Sequence, residues 1–133
     1  MNNTFTWQDM LYLVLSIDST LLGYLGSPTT DEAKNNKLRR EEQMADVINV
    51  ADVCFIAFYP INSLPQKNYK INKGVFQVDY YCDSRYHAKQ IVERVNAIVS
   101  GLWDMKLVYE GQTPSGVTGV YRYTQRFSDI IIG

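Results

Sequence analysis

The stretch from Val75 to Leu102, VFQVDYYCDSRYHAKQIVERVNAIVSGL, constrains the fold most, because its hydrophobic period changes midway. In the first half Phe76, Val78, Tyr80 and Cys82 fall on one face of an extended strand and Val75, Gln77, Asp79 and Tyr81 on the other, since successive strand side chains alternate. In the second half Ala88, Ile91, Val92, Val95, Ile98, Val99 and Leu102 recur at helical spacing, with Arg85, Lys89, Gln90, Glu93, Arg94 and Asn96 between them. That pattern predicts an amphipathic helix whose apolar stripe packs on the Phe76 face of the strand. Asp83 or Ser84 is suited to cap its first turn, and Gly101 to the left-handed residue that ends it. The other strand face, with Gln77 and Asp79, is expected to be polar.

A chain of 133 residues holds one core of ordinary size, so a single α+β domain spanning 1–133 is expected. With 46% hydrophobic and 20% charged residues, disorder is not the expected state, and a formal charge of −1 draws the protein to neither nucleic acid nor an anionic membrane. No apolar run approaches the ~20 residues of a membrane span. MNNTFTWQD lacks the basic region of a signal peptide, so the cytosol is the expected compartment. Cys54 and Cys82 fall in apolar runs that read as buried strands, and reduced core thiols are the expectation there.

Thr6 with Asp9 resembles a capping box, and Trp7, Leu11, Val14, Leu15, Leu21, Leu22 and Leu25 keep near-helical spacing. The spacing predicts a helix over about 6–25, broken or bent at Ser16 to Thr20, where short polar side chains compete for backbone hydrogen bonds. A solvated connection follows over about 27–50. Within it Asp31 to Glu42 reads as a loop or weak surface helix whose basic residues Lys37, Arg39 and Arg40 are offset by Asp31, Glu32, Glu41 and Glu42. The sheet and its packing helix are expected over about 53–133. Val53 to Tyr59 suits a strand covered on both faces, and Asn62 to Lys73 an exposed connection. Strands starting near Met105 and Val120 complete a mainly antiparallel four-stranded sheet packed by two amphipathic helices. Gln112 to Gly119 is a hairpin loop longer than a tight turn requires. In the last strand Tyr121, Tyr123 and Phe127 take one face, and Arg122, Thr124, Arg126 and Ser128 the other.

Chemistry is sparse. His87 is the single histidine and Cys82 its nearest potential partner in sequence, so a metal site would need further ligands from Cys54 or the carboxylates, and no ligand spacing supports one. At the start of a helix the macrodipole disfavours imidazolium, so a Cys/His nucleophile pair is not expected either. No phosphate-binding glycine loop occurs. No enzymatic activity and no cofactor are expected. Lys73 to Tyr80 superficially follows the aromatic strand signature of single-stranded RNA-binding modules with a ferredoxin-like sheet, which keeps such a module as the alternative. The match fails at the stacking positions, which hold Val75 and Gln77.

The final third carries a resemblance. Tyr109-Glu110-Gly111-Gln112, a glycine-rich loop ending in Thr118-Gly119, and Val120 to Ile130 (VYRYTQRFSDI) resemble the closing hairpin of small phage tail-completion proteins. The strand FQVDYY followed by the helix HAKQIVERVN is similar to the same family, which includes tail terminators and merges with head–tail joining proteins. The resemblance implies a non-enzymatic structural component of the virion, made in the host cytoplasm and located at the tail or head–tail junction. It implies a ring of this chain's own copies, usually a hexamer, meeting the tail tube protein and head–tail connector proteins, with no membrane and no specific nucleic acid. Candidate interaction residues are Asp79, Arg122 and Arg126 on the polar sheet face, as lumen lining or as Arg–Asp pairs between subunits. The loop residues Gln112, Thr113, Pro114 and Ser115 and the basic residues Lys37, Arg39 and Arg40 complete the set, since exposed segments on a rigid scaffold carry contacts.

Overall fold

The computed structural model describes residues 4–61, 71–100 and 106–132. Helices α1 (Thr4–Ser16), α2 (Ser19–Tyr24) and α3 (Asp31–Lys37) lead into the two-residue strand β1 (Leu38–Arg39). Two 3₁₀ turns, Ala45–Val47 and Val50–Asp52, precede β2 (Phe55–Ile61) and β3 (Ile71–Cys82), then α4 (Arg85–Ser100), β4 (Lys106–Thr113) and β5 (Tyr121–Ile132). The strands form one sheet in the order β1-β2-β3-β5-β4. β1 runs parallel to β2 and every other pair is antiparallel. The sheet is therefore five-stranded and mixed, where a mainly antiparallel four-stranded sheet was expected; the added strand β1 contributes the one parallel pairing. A two-residue strand has no periodicity to betray it, and β1 exists because Leu38 is buried opposite Ile56.

The N-terminal apolar stripe is split as its polar break suggests. Asp18 sits in extended conformation between α1 and α2, and its carboxylate accepts the Leu21 N–H at 2.8 Å, capping α2. The same carboxylate takes a two-pronged contact from Arg94 on α4, at 3.0 and 2.6 Å. The residue that breaks the stripe thus locks the helical layer together. α1 begins at Thr4, so Thr6 lies inside the helix rather than at its cap. Segment 31–37 takes the surface-helix form: Thr30 caps α3 by accepting from Ala33 N–H, and acidic residues in its first turn and lysines in its last complement the macrodipole.

One face of the sheet carries the main core. Leu11 and Leu15 of α1, Leu21 of α2 and Leu25 just after it pack with Ile91, Val95 and Val99 of α4 onto Ile56, Phe58, Val78, Tyr80 and Phe127. The buried Gln8 side chain donates to the carbonyls of Phe58 and Arg40, pinning α1 to the start of the sheet. Ser84 caps α4 by accepting the His87 N–H, while Gly101 and Leu102 lie outside the described residues. The opposite face is not the open polar surface expected from its sequence. Phe55, Ala57, Tyr59 and Tyr81 form a second cluster with Ile48, and Val53, Val117 and Val120 pack against it. The segment through the 3₁₀ turns and the hairpin loop after β4 thus supply a partial second layer. Of the expected exposed connection Asn62 to Lys73, residues 62–70 lie outside the described residues, and 71–73 belong to β3.

Candidate functional site

Three of the interaction residues chosen from sequence meet on this second face. β3 and β5 pair with Gln77 opposite Arg126, Asp79 opposite Thr124 and Tyr81 opposite Arg122, so alternation aims all six side chains to one side. Asp79 is fully buried, at 0% exposure. Its carboxylate accepts from the Tyr59 hydroxyl at 2.5 Å, the Thr124 hydroxyl at 2.7 Å, Arg122 Nη2 at 2.9 Å and Gln77 Nε2 at 3.1 Å. Arg126 Nε donates to Gln77 Oε1 at 3.0 Å, and the guanidinium lies 5.3 Å from the Tyr109 ring centre. A buried carboxylate is tolerable only with such partners. Burial, followed by the neighbouring carboxylate, pushes the Tyr59 hydroxyl far above the usual phenol range, and burial first lifts Tyr81 to about 12. Burial is the largest single influence on Arg122 and opposes its charge, but the hydrogen bond to Asp79 and the attraction of that carboxylate act together to raise the group.

The expected Arg–Asp pairing is therefore present, but within the chain. A pair satisfied across two neighbouring strands is not waiting for another subunit. Arg122 also donates to the Pro114 carbonyl at 3.2 Å, and Thr113 and Thr124 hydroxyls lie 2.7 Å apart, which ties the hairpin loop to the network. The loop is internally organised. The Ser115 hydroxyl donates to the carbonyls of Val117 and Val120 and accepts the Val117 N–H. With Val117 and Val120 against the second cluster, the loop and its return to β5 contribute to the core. Gln112 stands exposed on β4 opposite Tyr123.

The basic residues are placed elsewhere and each is engaged inside the molecule. Lys37 Nζ donates to the Asp52 carbonyl at 2.6 Å. Arg39, only 14% exposed, stacks 3.8 Å above the Phe55 ring and bonds Asn36, Gln43 and Asp52. Arg40 pairs with Asp9 at 3.0 Å and lies over the Tyr12 ring. They brace the segment after α3 rather than forming a free cationic patch.

Three features escape the sequence. On the helix face Gln125 is fully buried, accepting from the Tyr80 hydroxyl at 2.7 Å and donating to Asn96 and Glu110, beneath a hollow of about 270 Å³ walled by Lys89, Glu93, Tyr121 and Tyr123. Nothing in a lone glutamine between aromatic residues signals this. Secondly, Leu107, Val108 and Tyr109 of the edge strand β4 are 42, 50 and 43% exposed, with Val108 the extra residue of a register shift against β5. Thirdly, Cys54, Asp83 and His87 converge, each offering a ligand atom within 4.8 Å of the others. Pairing of β2 with β3 sets Phe55 opposite Tyr81, which brings Cys54 beside the Cys82–Asp83 corner. A separation of 29 residues carries no spacing motif. Cys54 is also half-buried just before β2 rather than inside a strand. A hydrogen bond from Cys82 first, and the Asp83 N–H after it, hold the Cys54 thiol down at about 7. Asp83 raises the His87 imidazole through their hydrogen bond.

No helix among the described residues is long and apolar enough to cross a membrane. No family model matches the sequence, and no curated protein does. Among solved structures, a chain of the virion of a native gene transfer agent (GTA) particle shares the fold, with a TM-score of 0.55 at 13% identity over 95% of this chain and 94% of that one. The likeness spans nearly the full length of both chains, so it extends over helices and sheet together.

Proposed function

We propose that this chain is a non-enzymatic structural protein of a phage-type particle, one that completes or terminates the tail or joins it to the head connector. The observation that carries the proposal is the fold held in common, end to end, with a chain of a gene transfer agent virion. Its agreement with the family resemblance of the β3–α4 unit and closing hairpin supports the finer assignment. In this role the protein acts through a ring of its own copies, hexameric by the same resemblance, and through contacts with tail tube and connector proteins. β4 is the surface best suited to the self-contact: it is the outer strand of the sheet and presents Leu107, Val108 and Tyr109 to solvent. An outer strand also offers unpaired backbone groups to a neighbouring chain.

The alternative RNA-binding role loses its surface. Gln77, where a base would stack, is buried and bonded to Tyr59, Asp79 and Arg126. Deleting the gene in a particle-producing background, with electron microscopy of the lysate, tests the proposal. Heads and tails left unjoined, or tails of irregular length, are expected. Normal particles at normal yield would overturn it, as would tight, salt-sensitive binding of single-stranded RNA by the purified protein.

A further inference from the structure

We propose that Cys54, Asp83 and His87 form a Zn²⁺ site that ties the entry of β2 to the first turn of α4, with the fourth coordination position open to solvent. The site stands apart from the assembly role and rests on geometry. Asp83 directly follows β3, and His87 lies one helical turn beyond it on α4, held there because Ser84 accepts the His87 N–H at 3.2 Å. Cys54 arrives from just before the neighbouring strand β2. Its Sγ lies 3.7 Å from Asp83 Oδ1, and His87 Nδ1 lies 2.5 Å from the same oxygen. Two ligands bonded to one tetrahedral zinc stand about 3.3–3.8 Å apart, given bonds of about 2.0–2.3 Å. The sulfur–oxygen distance already meets this.

The imidazole–carboxylate contact must open, and these side chains are 48% and 55% exposed, so a change of rotamer suffices. The donor set selects the metal. A thiolate with an imidazole and a carboxylate suits Zn²⁺ over Mg²⁺ or Ca²⁺, which prefer all-oxygen shells. The thiolate and carboxylate together also balance the charge of the ion. On loading, the thiol and the imidazole position that binds metal give up any proton they hold to solvent, and nothing is oxidised or reduced. A hollow of about 350 Å³ bounded by Tyr24, Lys37 and Gln90 lies over the three donors and leaves room for water as fourth ligand. A cysteine at the rim of a hollow, facing a histidine and an aspartate, differs from a fully buried thiol such as Cys82.

Co²⁺ is the probe. The full chain is reduced, stripped with chelator and titrated with Co²⁺, then with Zn²⁺. Expected are one equivalent of Co²⁺ per chain, a near-ultraviolet sulfur-to-metal band, tetrahedral visible absorption, displacement by Zn²⁺ and a raised Tm with Zn²⁺. Cys54→Ser is expected to abolish the band, and His87→Ala and Asp83→Ala to weaken binding at least about tenfold each. Cys82→Ser keeps the band. The histidine and aspartate lie at the surface, so their variants test the site even if Cys54→Ser fails to fold. Absence of the band at saturating Co²⁺ would show that no thiolate binds the metal, and its persistence in Cys54→Ser or binding indifferent to His87→Ala would show adventitious surface binding; each would overturn the assignment.

Discussion

Asp79 shows how one residue's meaning depends on its surroundings. An aspartate alternating with core residues reads as the polar side of a strand, yet here it is sealed beneath Tyr59, Thr124 and Arg122. Removing one partner of a buried ion pair leaves a charge without compensation, which costs about 3–5 kcal/mol. Arg122 keeps partial access to water, at 21% side-chain exposure, so Arg122→Met is expected to cost about 3 kcal/mol, the lower end. Urea unfolding measures it. A loss under about 1 kcal/mol would mean that Tyr59, Gln77 and Thr124 alone satisfy the carboxylate. The alternation that put Asp79, Gln77, Arg122 and Arg126 on one face was legible, because it follows from strand geometry alone. The burial of Asp79 and Gln77 was not, since it depends on segments distant in sequence that happen to cover that part of the face.

Elements meet through their ends in this fold, and Asp18 is the clearest joint. Its carboxyl is held below the ordinary value of 3.8, first by the Arg94 hydrogen bond. A depressed folded-state value means that the pair stabilises the fold above that ordinary value, and that the contribution fades as pH falls through the depressed one. Asp18→Asn keeps a competent cap and removes the charge, so it is expected to cost about 1 kcal/mol near neutrality and to flatten the acid limb of a stability–pH profile. Asp18→Ala loses the cap as well, about 2 kcal/mol in all. An unchanged acid limb in Asp18→Asn would assign the acid sensitivity to other carboxylates. The hairpin loop offers a second joint: Gly116 has φ +77°, and a Cβ there would sit 2.9 Å from the Ala45 side chain. Gly116→Ala therefore meets backbone strain and a clash together, and a loss of about 1–2 kcal/mol is expected. A thermal melt equal to wild type would show that the loop lifts off the 3₁₀ segment without cost.

Over the whole molecule the sheet has two unlike edges. β1 is two residues long, whereas β4 runs from Lys106 to Thr113 with three apolar residues in solvent. A long apolar edge invites another chain, and the register shift at Val108 is the kind of irregularity that limits indiscriminate pairing. If β4 forms the self-contact, Val108→Asp is expected to leave Tm within about 2 °C of wild type, since an exposed position contributes within about 0.5 kcal/mol. Rings, counted by native mass or negative-stain microscopy, should vanish. Rings that survive this substitution would move the self-contact to another surface. Shortening Gln112 to Gly119 to a two-residue turn addresses the loop separately. It carries an expected stability loss, because Val117 is removed from the second cluster.

What the sequence determined by itself is the set of elements governed by local periodicity. The β3–α4 unit, the Phe76 and Tyr80 core face, the break at Asp18 and the closing hairpin each follow from the strand or helix repeat and from capping chemistry, which act over a few residues. The tertiary structure alone decided the rest. Leu38 became a strand by finding Ile56, Cys54 reached Asp83 and His87 through strand pairing, and the polar face was partly covered by a 3₁₀ segment and a loop. These outcomes depend on which distant surfaces meet once the core has formed, and no local repeat encodes a meeting between segments far apart in the chain.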